Sequence, residues 1–195
     1  IFEYPWNKII IKETYINKLS NILKNTHINM TNDTHIPIDE LKKKISENIK
    51  KAKSWFADAF TEHNYNGKYH YSYCTKSSHY KYVLEEALKN NVHIETSSAF
   101  DLDLIYKLYQ EKKLTKQGYI LCNGFKTDDY INKIIKLINH GFENLYVILD
   151  NQRELSLLEG KIDKKIKLGI RIASEEEPKF EFWTSRLGIG YKDIV

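Results

Sequence analysis

From about Tyr69 onward the chain alternates short apolar runs with stretches whose apolar residues recur every three or four positions. The first run, Tyr69-His70-Tyr71-Ser72-Tyr73-Cys74-Thr75-Lys76, is aromatic and alternating, as a strand requires. It leads into 80–89, where Tyr80, Val83, Leu84, Ala87 and Leu88 share one helical face. The unit recurs as strand 92–96 with helix 99–111, strand 118–122 with helix 128–139, and strand 144–149 with helix 152–158. A fifth run covers 166–172. Successive strand starts are 23, 26, 26 and 22 residues apart, the rhythm of repeated βα units.

Strands joined by single crossover helices are parallel, and a right-handed series of them builds either an open doubly wound sheet or a (β/α)8 TIM barrel. An open sheet that grips a dinucleotide carries Gly-x-Gly-x-x-Gly after its first strand. That place here holds Lys76-Ser77-Ser78-His79, which favours the barrel. Upstream lies an apolar patch, Ile9-Ile10-Ile11, then a polar helix over 13–24 and an Asn-, Thr- and Asp-containing loop over 26–35. Ile38, Leu41, Ile45, Ile49, Ala52, Phe56 and Ala59 then predict a long amphipathic helix over 38–60. The pattern divides the chain into an N-terminal segment, 1–66, and a barrel-type part, 67–195. At about 24 residues per unit, eight units would reach about residue 260, so five units in α/β alternation predict an incomplete barrel.

Composition narrows the function classes. In 195 residues, Lys and Arg are scattered among Asp and Glu, and a net charge of +4 forms no basic stripe, so no nucleic-acid partner is expected. No window approaches 18 consecutive apolar residues, so no membrane span is expected. Ile1-Phe2-Glu3-Tyr4-Pro5 does not read as a secretory leader, which with two isolated cysteines, Cys74 and Cys122, predicts free thiols in the cytoplasm and no Cys-rich zinc site.

In a parallel barrel the working face is built from the C-terminal ends of the strands. Those ends carry Lys76, Glu95 to Ser98, Asn123 with Gly124, Asp150 and Arg171, a polar ring. A strand-end lysine is most often a surface residue. Beside a second cation and partly desolvated, it becomes a Schiff-base nucleophile, and Arg171 can supply that charge. Glu95 would oppose the effect unless balanced, for instance by Arg171; the same two residues would equally serve as a structural ion pair closing the top of the sheet. His70, His79 and His93 lack carboxylates at helical spacing, so no metal site is expected. Glu175-Glu176-Glu177 reads as a solvated turn, and no Gly-x-Ser-x-Gly elbow is present.

Five blocks, Tyr73-Cys74-Thr75-Lys76-Ser77-Ser78, His93-Ile94-Glu95-Thr96-Ser97-Ser98, Ile120-Leu121-Cys122-Asn123-Gly124-Phe125-Lys126, Gly169-Ile170-Arg171-Ile172-Ala173-Ser174 and Ser185-Arg186-Leu187-Gly188, stand in the order and spacing of the fold-type III pyridoxal-phosphate decarboxylases. Over roughly 36–195 the chain most closely resembles the biosynthetic arginine decarboxylases of Bacteroidetes-type bacteria. The resemblance implies a barrel of the alanine racemase/ornithine decarboxylase type. It implies that Lys76 carries pyridoxal 5'-phosphate as a Schiff base, that Glu95 is the acidic residue ending the second strand, and that Arg171 lies near the cofactor's phenolic oxygen. It also implies a small amino-acid substrate, conversion of arginine to agmatine and carbon dioxide for polyamine synthesis, and a homo-oligomer.

The family's later histidine, Gly-rich phosphate loop and Glu-Pro-Gly-Arg block have no counterpart in these residues. The expectation is therefore a partial copy of a longer enzyme, inactive by itself. A non-catalytic half-barrel that binds or regulates a partner, and a pyridoxal-phosphate carrier, are the alternatives.

Overall fold

A computed structural model describes residues 36–173, 188–190 and 194. The patch at Ile9–Ile11, the helix expected over 13–24, the loop over 26–35, the acidic turn at Glu175–Glu177 and Ser185 to Leu187 lie outside the described residues. All elements below belong to the unit Ile38–Val195. They run α1 (Ile38–Glu62), β1 (Ser72–Cys74), α2 (Lys81–Lys89), β2 (His93–Thr96), α3 (Ala99–Gln110), β3 (Ile120–Cys122), α4 (Asp128–Asn139), β4 (Leu145–Leu149), α5 (Arg153–Ser156) and β5 (Lys167–Ile170).

The strands form one parallel sheet in the order β1-β2-β3-β4-β5. Cys74, Glu95, Leu121, Tyr146 and Lys167 lie side by side in one row. Since each strand pairs with its successor, the order never reverses, and right-handed crossovers carry the helices to a single face. The period of two along the strands agrees. Ile94, Ile120, Cys122, Leu145, Val147 and Leu149 are buried in one cluster with Leu84 of α2, Leu102 and Ile105 of α3, and Ile131, Ile134 and Leu137 of α4. Each large aliphatic side chain so buried stabilises the fold by about 1.5–3 kcal/mol. The alternate residues His93, Glu95, Leu121, Tyr146 and Ile148 are only half buried on the opposite face.

Local chemistry sets the helix starts. Ser98 accepts from the N–H of Asp101, while the Asp101 carboxylate accepts from the N–H of Ser97 at 2.8 Å, a reciprocal cap at the start of α3. Thr127 caps α4 by accepting from the N–H of Tyr130 at 3.2 Å. The amphipathic α1 docks on α2: Lys53 Nζ donates to the carbonyls of Asn90 and Asn91 at 2.6 and 3.0 Å, a cation at the helix's negative end. Asn90 and Glu86 both bond Ser46.

The strands are shorter than the pattern predicts. The run over 69–76 narrows to Ser72–Cys74, β1 having a single partner strand among the described residues, and the run over 166–172 narrows to Lys167–Ile170. Beyond β5, Ile172 pairs in parallel with Ile189. That pairing needs Gly188, whose φ is +106° and whose Cβ would sit 2.9 Å from both Arg171 O and Ala173 N. Leu168 and Ile170 are in register with the buried Val147 and Leu149 yet stay exposed, because the preceding helix α5 is a single turn.

At the N-terminal ends of the strands the half-covered face carries stacked rings. His70 lies 5.4 Å from His93, His93 4.4 Å from Tyr119, and Tyr119 meets Tyr146 edge-on at 5.8 Å, with Lys167 Nζ over Tyr146. No described helix is long and apolar enough to cross a membrane.

Candidate functional site

The C-terminal ends of the five strands meet along one rim of the sheet, because all strands run the same way. Lys76 occupies the turn leaving β1, and its side chain is exposed. The turn is pinned by Thr75, fully buried, which donates through both its N–H and its hydroxyl to the carbonyl of Glu95 at 2.9 and 3.1 Å. Lys76 makes no ion pair among the described residues.

Glu95 ends up beside Asn123, whose Nδ2 donates to Oε1 at 3.0 Å. Asn123 is itself held by the N–H of Gly124, which donates to its Oδ1 at 2.9 Å. Gly124 has φ +80°, and its Cβ position is 3.1 Å from the carbonyl of Ser97, so the turn after β3 admits only glycine without strain. Below it, the hydroxyls of Tyr130 and Thr96 lie 2.8 Å apart in the core, and burial raises the Tyr130 phenol far above its ordinary range.

Arg171 follows β5. Its N–H donates to Leu149 O at 3.0 Å and its carbonyl accepts from the N–H of Ile189 at 2.7 Å, so the backbone is held on both sides. Its side chain, 40% exposed, extends to Asp150, with Nη1 3.8 Å from Oδ1. Glu95 and Arg171 are therefore not partners: the ion pair considered from the sequence is replaced by Arg171 with Asp150, while Glu95 takes an amide donor. The reason is adjacency, since β5 neighbours β4 whereas β2 is two strands further off.

Asp150 itself is 2% exposed at its side chain, and neither carboxylate oxygen has a hydrogen-bond partner among the described residues. Burial raises its pKa first. The positive charges of Lys126 and Arg171 pull the other way, and Glu154 adds to the rise. Lys126 and Glu154 form a second pair under the rim, 3.4 Å apart and essentially without exposure. Lys126 Nζ also donates to the carbonyls of Gly124 and Ile148, and the Glu154 carboxylate accepts from the N–H groups of Lys126 and Asp150, each at 2.9 Å. This pair was not legible as buried in the sequence: Phe125-Lys126-Thr127 and Arg153-Glu154-Leu155 look like solvated helix starts.

The histidines lie elsewhere. His70 and His93 belong to the stacked rings at the opposite end of the strands, and His79 meets Phe100 edge-on. No group of three potential ligands able to hold a metal occurs among the described residues.

No family model matches the chain, and no curated protein matches it. Among solved structures it is similar to the biosynthetic arginine decarboxylase SpeA from Campylobacter jejuni, with a TM-score of 0.61 and 19% identity, over 78% of this chain and 25% of that one. The likeness is one of fold: the parallel sheet with its alternating helices matches part of that decarboxylase, and this chain spans about a quarter of its length.

Proposed function

We propose that the five βα units are the first part of the cofactor-binding (β/α)8 barrel of a fold-type III, pyridoxal-phosphate-dependent decarboxylase that converts arginine to agmatine and carbon dioxide. The observation that carries the reading is the position of Lys76, an exposed primary amine in the turn leaving the first of five sequentially ordered parallel strands. The fold shared with an arginine decarboxylase supports it.

The donor set suits pyridoxal phosphate. Lys76 offers an amine to an aldehyde, and Arg171 offers a half-exposed guanidinium to an anionic oxygen. The buried carboxylate of Asp150 behind Arg171 leaves that end of the site electrically balanced. A bound pyridoxal phosphate supplies an electron sink for the pair released as carbon dioxide departs. Lys76 would hold it covalently and Arg171 would meet its phenolic edge, while Glu95, held by Asn123, would place a carboxylate on the neighbouring strand β2. In this reading the parent protein is a cytoplasmic homo-oligomer with a small amino-acid substrate, and its polyamine role follows from the product.

The test uses the full-length protein. Borohydride reduction with pyridoxal phosphate, then peptide mapping, should place the label on Lys76, and Lys76→Ala should lose both label and carbon dioxide release from arginine. Release from ornithine, lysine or diaminopimelate in preference to arginine would change the substrate. Label spread over surface lysines would reject the site. A non-catalytic partner-binding role is the second reading, favoured by the exposed Leu168, Ile170 and Ile172 at the β5 edge.

A further inference from the structure

We propose that Asp150 is a positioning residue: from its buried place at the end of β4 it orients the Arg171 guanidinium so that one edge faces the carboxylate and the other faces the mouth of the site. The inference rests on the cofactor reading above for what Arg171 meets, and on the apo protein alone for the pairing itself.

Three observations carry it. First, Asp150 is the described residue whose buried carboxylate lacks a hydrogen-bond partner on both oxygens. A buried unpartnered acceptor is costly, so it is retained where something acts on it. Second, the cation within ion-pair reach among the described residues is Arg171, with Nη1 at 3.8 Å from Oδ1, beyond hydrogen-bond length. A guanidinium is a planar fork: fixing one edge fixes the direction of the other. Third, both ends are anchored. Glu154 accepts from the N–H of Asp150 at 2.9 Å, and Arg171 is bonded through its N–H to Leu149 O and through its carbonyl to the N–H of Ile189. Between these anchored backbones the two side chains face each other across a gap that no hydrogen bond closes. An anionic oxygen arriving at the exposed edge of Arg171 draws the guanidinium outward, and Asp150 limits that movement and opposes its rotation.

The groups facing Asp150 are Lys126 from the turn after β3, Glu154 from α5 and Arg171 from beyond β5. Lys126 is committed to Glu154 and to the carbonyls of Gly124 and Ile148, which leaves Arg171 as the cation free to respond.

The experiment compares Asp150→Asn, Arg171→Gln and the double variant in the full-length protein, with circular dichroism to verify folding. Without cofactor, the Asp150 carboxyl is followed by carbon-13 titration. Its midpoint should rise in Arg171→Gln, and an unchanged midpoint overturns the pairing. With pyridoxal phosphate, both single variants should shift the absorption maximum of the bound cofactor in the same direction and weaken its retention by about tenfold. The double variant should be no worse than either. Asp150→Asn with wild-type absorption and retention, or fully additive losses, overturns the positioning role. If Lys76 takes no label in any variant the cofactor reading fails, and the titration still decides whether Asp150 and Arg171 act as a pair.

Discussion

The buried Lys126–Glu154 pair makes an asymmetric prediction. Glu154→Gln keeps the shape but replaces one of two acceptor oxygens with an amide donor, which then faces a backbone N–H of Lys126 or Asp150. It also removes the negative charge that pairs the unexposed Lys126 ammonium, whose direct hydrogen bonds go to the carbonyls of Gly124 and Ile148. Breaking a buried pair from one side costs about 3–5 kcal/mol, a large share of the roughly 5–15 kcal/mol that ordinarily holds a domain. Lys126→Met is milder. The Glu154 carboxylate retains N–H donors from Lys126 and Asp150 and the Asn151 amide at 3.3 Å, and the unbranched side chain fills the same channel. The carboxylate then loses one charge-assisted contact, about 2 kcal/mol, and the carbonyls of Gly124 and Ile148 each give up one donor. The double variant removes the stranded ammonium and should be more stable than Glu154→Gln alone. Urea unfolding followed by circular dichroism at neutral pH measures all three. A Lys126→Met as costly as Glu154→Gln, or a double variant less stable than Glu154→Gln, would refute the argument.

Two further outcomes follow from burial. The Cys122 thiol is fully buried and pushed up to about 12, mainly by desolvation, whereas Cys74 is half buried in the edge strand; iodoacetamide on the native protein should label Cys74 and spare Cys122, and equal labelling would contradict the packing. Burial, then the nearby His70 and Lys53, lowers the pKa of His93, whose Nδ1 accepts from the N–H of Tyr119 at 3.3 Å and whose Nε2 lies 3.2 Å from Nδ1 of His70. Neutral His93 is thus favoured by the fold, so this contribution is full above the unfolded value of about 6.5 and is lost as pH falls through the lower folded value. Unfolding curves between pH 7 and 5 should be flatter for His93→Gln than for the wild type, and an identical slope would remove His93 from the account.

What the sequence revealed was whatever is written as local period. The apolar spacing over 38–60 is realised as α1, Ile38–Glu62, because that face packs on α2, and the four later helices begin within a residue of the expected positions. The strand ends were legible too, since Lys76, Glu95 and Arg171 all lie at one rim of the sheet. Pairing across that rim was not. Nothing in the spacing of Glu95 and Arg171 says that β5 seats the arginine against β4, and nothing in Lys126 or Glu154 announces burial, because a charge becomes buriable only when its partner arrives from another loop. The helix expected over 152–158 contracts to Arg153–Ser156, and within it Glu154 turns inward to bond the N–H groups of Lys126 and Asp150.

The unreversed strand order also governs how the fold can be assembled in time. Register partners lie 21 positions apart for Cys74 with Glu95 and 26 for Glu95 with Leu121, so each pairing closes a short loop and needs no distant segment. A chain leaving the ribosome can therefore set each strand against the one before it, with the intervening helix closing over the new apolar face, much as repeat arrays propagate from neighbour to neighbour. Throughout that growth the advancing edge is the newest strand. Among the described residues β5 still has the character of such an edge, with Leu168 and Ile170 exposed where earlier strands have a helix above them.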